Sequence, residues 1–156
     1  MLKNEIIEPS TSPYAFNIVI VRKKDEASEG IDRMCINYAP LNEVIEKDNG
    51  PIPIIKKYLS LFYGVKWLTI LDLTSAYWQI LLTKKSQKYT AFLIAYRFYQ
   101  FKVMSFSLVN TPATFQRLMN DVLRDYLRKF CLIYLDDIII YSKSLKDHKC
   151  HVRKVL

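Results

Sequence analysis

The apolar positions of this chain gather into blocks whose spacing separates strand from helix. "YAFNIVIVRKK" (14–24) is a β-branched run ending in cations, "DEASEG" (25–30) is polar, and "IDRMCINY" (31–38) is apolar again. This order predicts a β-hairpin with Lys23, Lys24 and Arg33 near its tip. In "NGPIPII" (49–55), Pro51 and Pro53 hold their neighbours extended and stop any helix. "KKYLSLF" (56–62) predicts a short helix with Gly64 as its C-cap. "KWLTILDLTSAYWQILL" (66–82) predicts a second apolar strand carrying one carboxylate, Asp72.

The period then changes. From Thr111-Pro112, a favoured cap and first-turn pair, apolar residues recur at Phe115, Leu118, Met119, Val122, Leu123, Tyr126 and Leu127. That series is one stripe of an amphipathic helix. Arg117, Asn120, Asp121, Arg124 and Arg128 fall on the other face, which is expected to be solvated. Directly afterwards, "CLIYLDDIIIY" (131–141) sets two aspartates between apolar blocks. Strand–Asp–Asp–strand reads as a hairpin, and neither block alternates with polar residues, so both faces of the ribbon are expected to be covered.

Two adjacent carboxylates at the rim of a covered sheet repel each other and lose hydration, at a penalty on the order of several kcal/mol per buried ion. A divalent cation removes the conflict, and Mg²⁺ favours a few carboxylates plus substrate phosphates. Asp72 also ends an apolar strand, 64 positions before Asp136. If its strand pairs beside the hairpin, three carboxylates converge. Such a set can hold two Mg²⁺ ions about 3.5–4 Å apart for phosphoryl transfer.

Composition narrows the setting. The 156 residues suffice for one domain or two small subdomains, and 51% hydrophobic with 24% charged residues is a globular balance. The net charge of +8 raises the odds of a polyanionic partner. No apolar run approaches the roughly 20 residues of a membrane span, and "MLKNEIIEPS" lacks a signal-peptide core, so a soluble, intracellular, non-secreted protein is expected. Cys35, Cys131 and Cys150 are odd in number and far apart, which argues against a disulfide framework. "HKCH" (148–151) offers His148, Cys150 and His151 but no nearby fourth zinc ligand; a solvated helix start is the expectation there.

"YLDD" (134–137) after "TPATFQRLMNDVL", with "LDLTSAYWQI", "RMCINYAPLN" and "EPSTSPYAFNIVIVRKKD", closely resembles the reverse transcriptase of gypsy-type LTR retrotransposons, over essentially the whole chain. The resemblance implies an α+β fold: the fingers and palm of a right-hand polymerase, with an antiparallel palm sheet backed by helices. Fingers would span about 1–46 and 81–111, palm about 47–80 and 112–156. It implies catalytic, metal-binding Asp72, Asp136 and Asp137, with the Leu73 carbonyl as a further metal ligand. The metal would be two Mg²⁺ ions, with Mn²⁺ as a substitute. Lys23 and Arg33 match the clamp on the incoming triphosphate, Lys24 standing as the alternative to Lys23. Tyr77 matches the steric gate that rejects a 2′-hydroxyl, and Phe106 a residue near the nucleotide sugar. Tyr134, Gln116 and Lys24 are implied nucleic-acid contacts. The implied partners are a primed RNA or DNA template and dNTPs, in a cytoplasmic retroelement particle or the nucleus, and no membrane.

Several positions depart from the family pattern. Asn37 and Ala39 stand where Asp and Arg are usual, and Trp78 where His is common. Ser105 and Ser107 interrupt a stretch usually reading Met-Pro-Phe-Gly-Leu, and a glycine usual near Arg97 is absent; the chain has only Gly30, Gly50 and Gly64. The chain also stops before the segments expected to form primer grip, thumb and ribonuclease H. It reads as a truncated or degenerate copy, and the alternative to a polymerase is an inactive remnant that binds nucleic acid without polymerising.

Overall fold

The computed structural model describes residues 1–21, 33–48, 50 and 58–156. In chain order its elements are β1 (Ile7–Pro9), β2 (Ile18–Val21), β3 (Arg33–Ile36), α1 (Ala39–Val44), β4 (Trp67–Asp72), α2 (Lys84–Gln87), β5 (Phe92–Ile94), β6 (Arg97–Phe101), α3 (Thr111–Val122), β7 (Cys131–Tyr134), β8 (Asp137–Ser142) and α4 (Leu145–Val155), joined by 3-10 turns. They divide into two units, Met1–Lys47 with Tyr77–Thr111, and Asp48–Ala76 with Pro112–Leu156. No described helix is long and apolar enough to cross a membrane.

In the first unit, β2 and β3 pair antiparallel, Ile18 opposite Ile36 and Val21 opposite Arg33. The expected hairpin is present as the pairing of 18–21 with 33–36, and residues 22–32, Lys23 and Lys24 among them, lie outside the described residues. A second antiparallel sheet runs β1-β6-β5. Ile7, Ile36, Tyr38, Phe92, Phe101 and Val103 form the core between these strands. Buried Tyr38 donates to the Thr90 carbonyl at 2.9 Å, and burial raises its pKa. Between β5 and β6 the chain turns through Ala95 and Tyr96 at φ 45° and 65°. Two left-handed residues in a two-residue hairpin loop make a type I′ turn, which ordinarily selects Asn-Gly.

The second unit holds the sheet β4-β8-β7, antiparallel throughout. Paired residues share a face, so one face carries Thr69, Leu71, Cys131, Ile133, Ile138 and Ile140. Leu123, Phe130, Met119, Val152 and Val155 pack onto that face, from α3, α4 and the segment after α3. The other face is less covered than the unbroken apolar runs suggest: Leu68 and Ile70 of β4 are 52% and 58% exposed. The helical stripe also needs correction. α3 ends at Val122, and Leu118 and Val122 face solvent, whereas Met119, Leu123, Tyr126 and Leu127 turn inward onto the β7–β8 core.

Two local expectations change as well. Pro51, Pro53, Lys56 and Lys57 lie outside the described residues, and the next described element is a 3-10 turn, Leu59–Phe62. Gly64 does not cap it. Tyr63 (φ −63°, ψ 121°) and Gly64 (φ 73°) form a type II turn closed by Val65 N–H donating to the Phe62 carbonyl at 3.1 Å, which places a left-handed residue where glycine is favoured. His148 is buried rather than solvated. Its Nε2 lies 2.8 Å from Thr69 Oγ1 and its Nδ1 3.0 Å from Ser142 Oγ, pinning α4 to β4 and β8. α4 opens with a side-chain N-cap: Ser144 Oγ accepts from Asp147 N–H and donates to the Asp147 carboxylate.

Candidate active site

Register explains how the aspartates meet. β4 and β8 pair from Trp67–Ser142 to Asp72–Asp137, and β7 sets Tyr134 opposite the same Asp137. Asp72, Asp137 and Tyr134 thus form one row across three strands at one end of the sheet. Directly opposed Cα atoms in such a ladder lie about 4.5–5.5 Å apart, and like charges there are destabilising. The Leu73 N–H donates to the Asp136 carbonyl at 3.2 Å, carrying the pairing one step past Asp72.

Asp136 sits in the β7–β8 turn rather than in the row. The loop is Leu135–Asp136, with Leu135 at φ 53° and Asp136 not left-handed, the pattern of a type II′ hairpin. Leucine in the position that favours glycine is a strained choice, of order 1–2 kcal/mol. Gln116, 2% exposed, holds this turn. Its Oε1 accepts from Leu135 N–H at 3.2 Å, while its Nε2 donates to the Ile133 carbonyl at 3.3 Å and to Asn120 Oδ1 at 3.1 Å. An expected nucleic-acid contact is therefore a buried brace, its whole amide spent inside the protein. The sequence singled this glutamine out only through the family resemblance, and gave no sign of its internal partners.

Asp136 Oδ1 is buried without a hydrogen-bond partner. A carboxylate oxygen with no hydrogen-bond donor is the kind of ligand a hard divalent cation takes. The Leu73 carbonyl accepts one bond, from Ala76 N–H at 3.2 Å, and retains a second lone pair. The convergence expected from the sequence is partial in this structure. Among the described residues, no group of three His, Cys, Asp or Glu is gathered closely enough to hold a metal ion. Asp136, in the turn between β7 and β8, lies outside the Asp72–Asp137 row.

The remaining predicted residues fall in the first unit. Tyr77 is buried, its ring edge-on to Phe106 at 5.2 Å, and Trp78 meets the same Phe106 at 5.6 Å. Phe106 itself is 39% exposed. The adjacent Ser107 is at φ 71°, and Asn42 clasps the loop: Nδ2 donates to the Ser107 carbonyl at 2.8 Å and Oδ1 accepts from Val109 N–H at 2.9 Å. Both places where the family pattern loses a glycine thus fall at left-handed backbone, Tyr96 beside Arg97 and Ser107. Asn37 Oδ1 accepts from the N–H of Ala39, the first residue of α1, at 3.1 Å. Arg33 begins β3 opposite Val21; its side chain lies outside the described residues.

Comparison with known proteins places these features in context. Residues 21–156 match the family model described as reverse transcriptase (RNA-dependent DNA polymerase). The chain is 42% identical over 149 residues to the retrovirus-related Pol polyprotein from transposon 297 of Drosophila melanogaster, covering 95% of this chain and 14% of that protein. It is 35% identical over 156 residues to the enzymatic polyprotein of cauliflower mosaic virus, covering all of this chain and 23% of that protein. The chain thus spans under a quarter of these relatives. Among solved structures it is similar to a foamy viral protease–reverse transcriptase in complex with double-stranded DNA, with 25% identity and a TM-score of 0.87 over 99% of this chain and 26% of the other. A foamy viral protease–reverse transcriptase in complex with an RNA/DNA hybrid shares the fold at 24% identity and a TM-score of 0.83, over 99% of this chain and 20% of the other.

Proposed function

The chain belongs to the reverse transcriptase (RNA-dependent DNA polymerase) family, and from that premise we propose that it is the fingers–palm module of a polymerase adding dNTPs to a primer on an RNA or DNA template. The observation that carries the reading is the Asp72–Asp137 pair in register beside the orphaned Asp136 oxygen. Asp72, Asp136 and Asp137, with the Leu73 carbonyl, would hold two divalent cations, Mg²⁺ or Mn²⁺. Cations so held neutralise phosphate charge and lower the pKa of an attacking hydroxyl.

The chain's own residues then position the reactants. Tyr77, fixed edge-on by Phe106, is a rigid wall suited to rejecting a 2′-hydroxyl. Lys23 or Lys24, with Arg33, would clamp the triphosphate by charge. Tyr134 stands opposite Asp137, at the end of the sheet where a primer terminus would lie. The division near residues 47, 76 and 111 supports reading the first unit as fingers and the second as palm. Neighbours captured with DNA and with an RNA/DNA hybrid support a template–primer partner, and such an enzyme works in a cytoplasmic particle or the nucleus. A second reading, a folded remnant that does not polymerise, is favoured by the left-handed Tyr96 and Ser107.

Primer extension on primed RNA and DNA templates with Mg²⁺ and dNTPs separates them. Extension by the chain that falls to background in Asp136→Asn is the expected result. Extension that survives the substitution overturns the assigned site, and no extension by a folded wild-type chain that still binds primer–template establishes the second reading.

A further inference from the structure

At the end of the second unit's sheet remote from the aspartates, a cleft of about 480 Å³ opens to solvent. Register fixes its place: Ser142, which lines it, pairs with Trp67, five residues from the Asp72–Asp137 pair, or roughly 17 Å at the rise of a strand. Its walls include Tyr63, Arg128, Lys129, Tyr141, Lys143 and Asp147.

Four features of that wall point the same way. Tyr63 is 88% exposed on the type II turn, an aromatic face with no protein against most of it. Lys143 runs beside the same turn, since a Cβ built on Gly64 would lie 3.8 Å from Lys143 Cε. Arg128, Lys129 and Lys143 form no ion pair among the described residues, while the one carboxylate, Asp147, is held by Ser144 in the cap of α4. Tyr141 is 6% exposed and its hydroxyl is buried without a partner. Burial raises its pKa, so it remains a neutral donor. An exposed aromatic face, surplus cations and a volume in the range of small-molecule clefts are what a nucleotide requires.

We propose that this cleft binds a nucleotide, with its base on Tyr63 and its phosphate on Arg128, Lys129 and Lys143, at a site separate from the carboxylates. The nucleotide arrives free or as one unit of a single strand. Binding here does not depend on the polymerase reading.

The test uses the 156-residue chain and a single-stranded oligonucleotide carrying 5-iodouracil, cross-linked by light and mapped by mass spectrometry. The expected adduct is on Tyr63. In Lys129→Gln/Lys143→Gln, two exposed substitutions, its yield falls and oligonucleotide affinity drops about fivefold or more. The slope of log affinity against log salt becomes shallower by about 0.7, the increment for one phosphate no longer neutralised. Competition by dTMP identifies a free nucleotide as the ligand, and a Tyr63 adduct that dTMP does not displace identifies the strand; both support the site. Absence of any Tyr63 adduct, or unchanged affinity and salt slope in the double variant, overturns it.

Discussion

Replacing Tyr96 by glycine is expected to make the first unit more stable, although it deletes a large aromatic side chain. Tyr96 is 98% exposed, so its ring contributes almost no burial. Its backbone is at φ 65°, the second left-handed position of the β5–β6 turn. A non-glycine residue there costs about 1–2 kcal/mol, and glycine returns about 0.5–1 kcal/mol of that through the greater freedom of the unfolded chain. The expected net gain is about 0.5–1 kcal/mol. For a chain of this length that is a rise of roughly 1–4 °C in melting temperature. Urea unfolding followed by tryptophan emission in a Trp67→Phe background reads Trp78, which lies in the same unit as the turn. Ser107→Gly, at φ 71° with its carbonyl still available to Asn42, is expected to add a similar increment. An unfolding midpoint that is unchanged or lower in Tyr96→Gly would refute the strain argument.

The other expected outcomes concern the second unit. Gln116→Leu keeps the volume but leaves the Leu135 N–H without its acceptor; a loss of about 1–3 kcal/mol in urea unfolding and weaker primer extension are expected. A midpoint equal to wild type would show that the amide does not hold the turn. His151 stacks on Phe130 at 3.9 Å, and burial lowers its pKa below the ordinary 6.5. The fold therefore favours the neutral ring. The stability is present above pH 6.5 and is lost as pH falls through the folded value, so melting temperature should decline from pH 7.5 to 5 and His151→Gln should flatten that decline. Cys131 is fully buried and its thiol is pushed up to about 11, whereas Cys150 is exposed. Iodoacetamide at pH 8 should label Cys150 and spare Cys131 until the chain unfolds; equal rates in the native state would contradict the burial.

Much of this arrangement is legible in the sequence because it follows from short-range chemistry. β-branched blocks ending at Asp72 and broken at Asp136–Asp137 define the strands and the turn, and antiparallel pairing then sets Asp72 opposite Asp137. What escapes is decided by partners distant in the chain. Gln116, implied by the resemblance as a nucleic-acid contact, becomes a brace only when Leu135 and Ile133 are brought to it, and His148 looks solvated until Thr69 and Ser142 close around it. The left-handed Ala95, Tyr96 and Ser107 carry no glycine to announce them; only the departure from a family pattern marks two of those places. Leu118 and Val122 obey the helical period yet face solvent, since periodicity names a stripe without measuring how wide its cover is.

β4 has a consequence of another kind. Among the described residues it pairs on one side alone, with β8, and Leu68 and Ile70 stand uncovered along it. Backbone donors and acceptors on its free side are the same groups that bind strand to strand within the sheet. An outer strand of this composition is a template for a further strand, from whatever chain supplies one first. A lysine in place of Ile70, exposed on this outer strand, is where an engineer would begin to discourage such pairing.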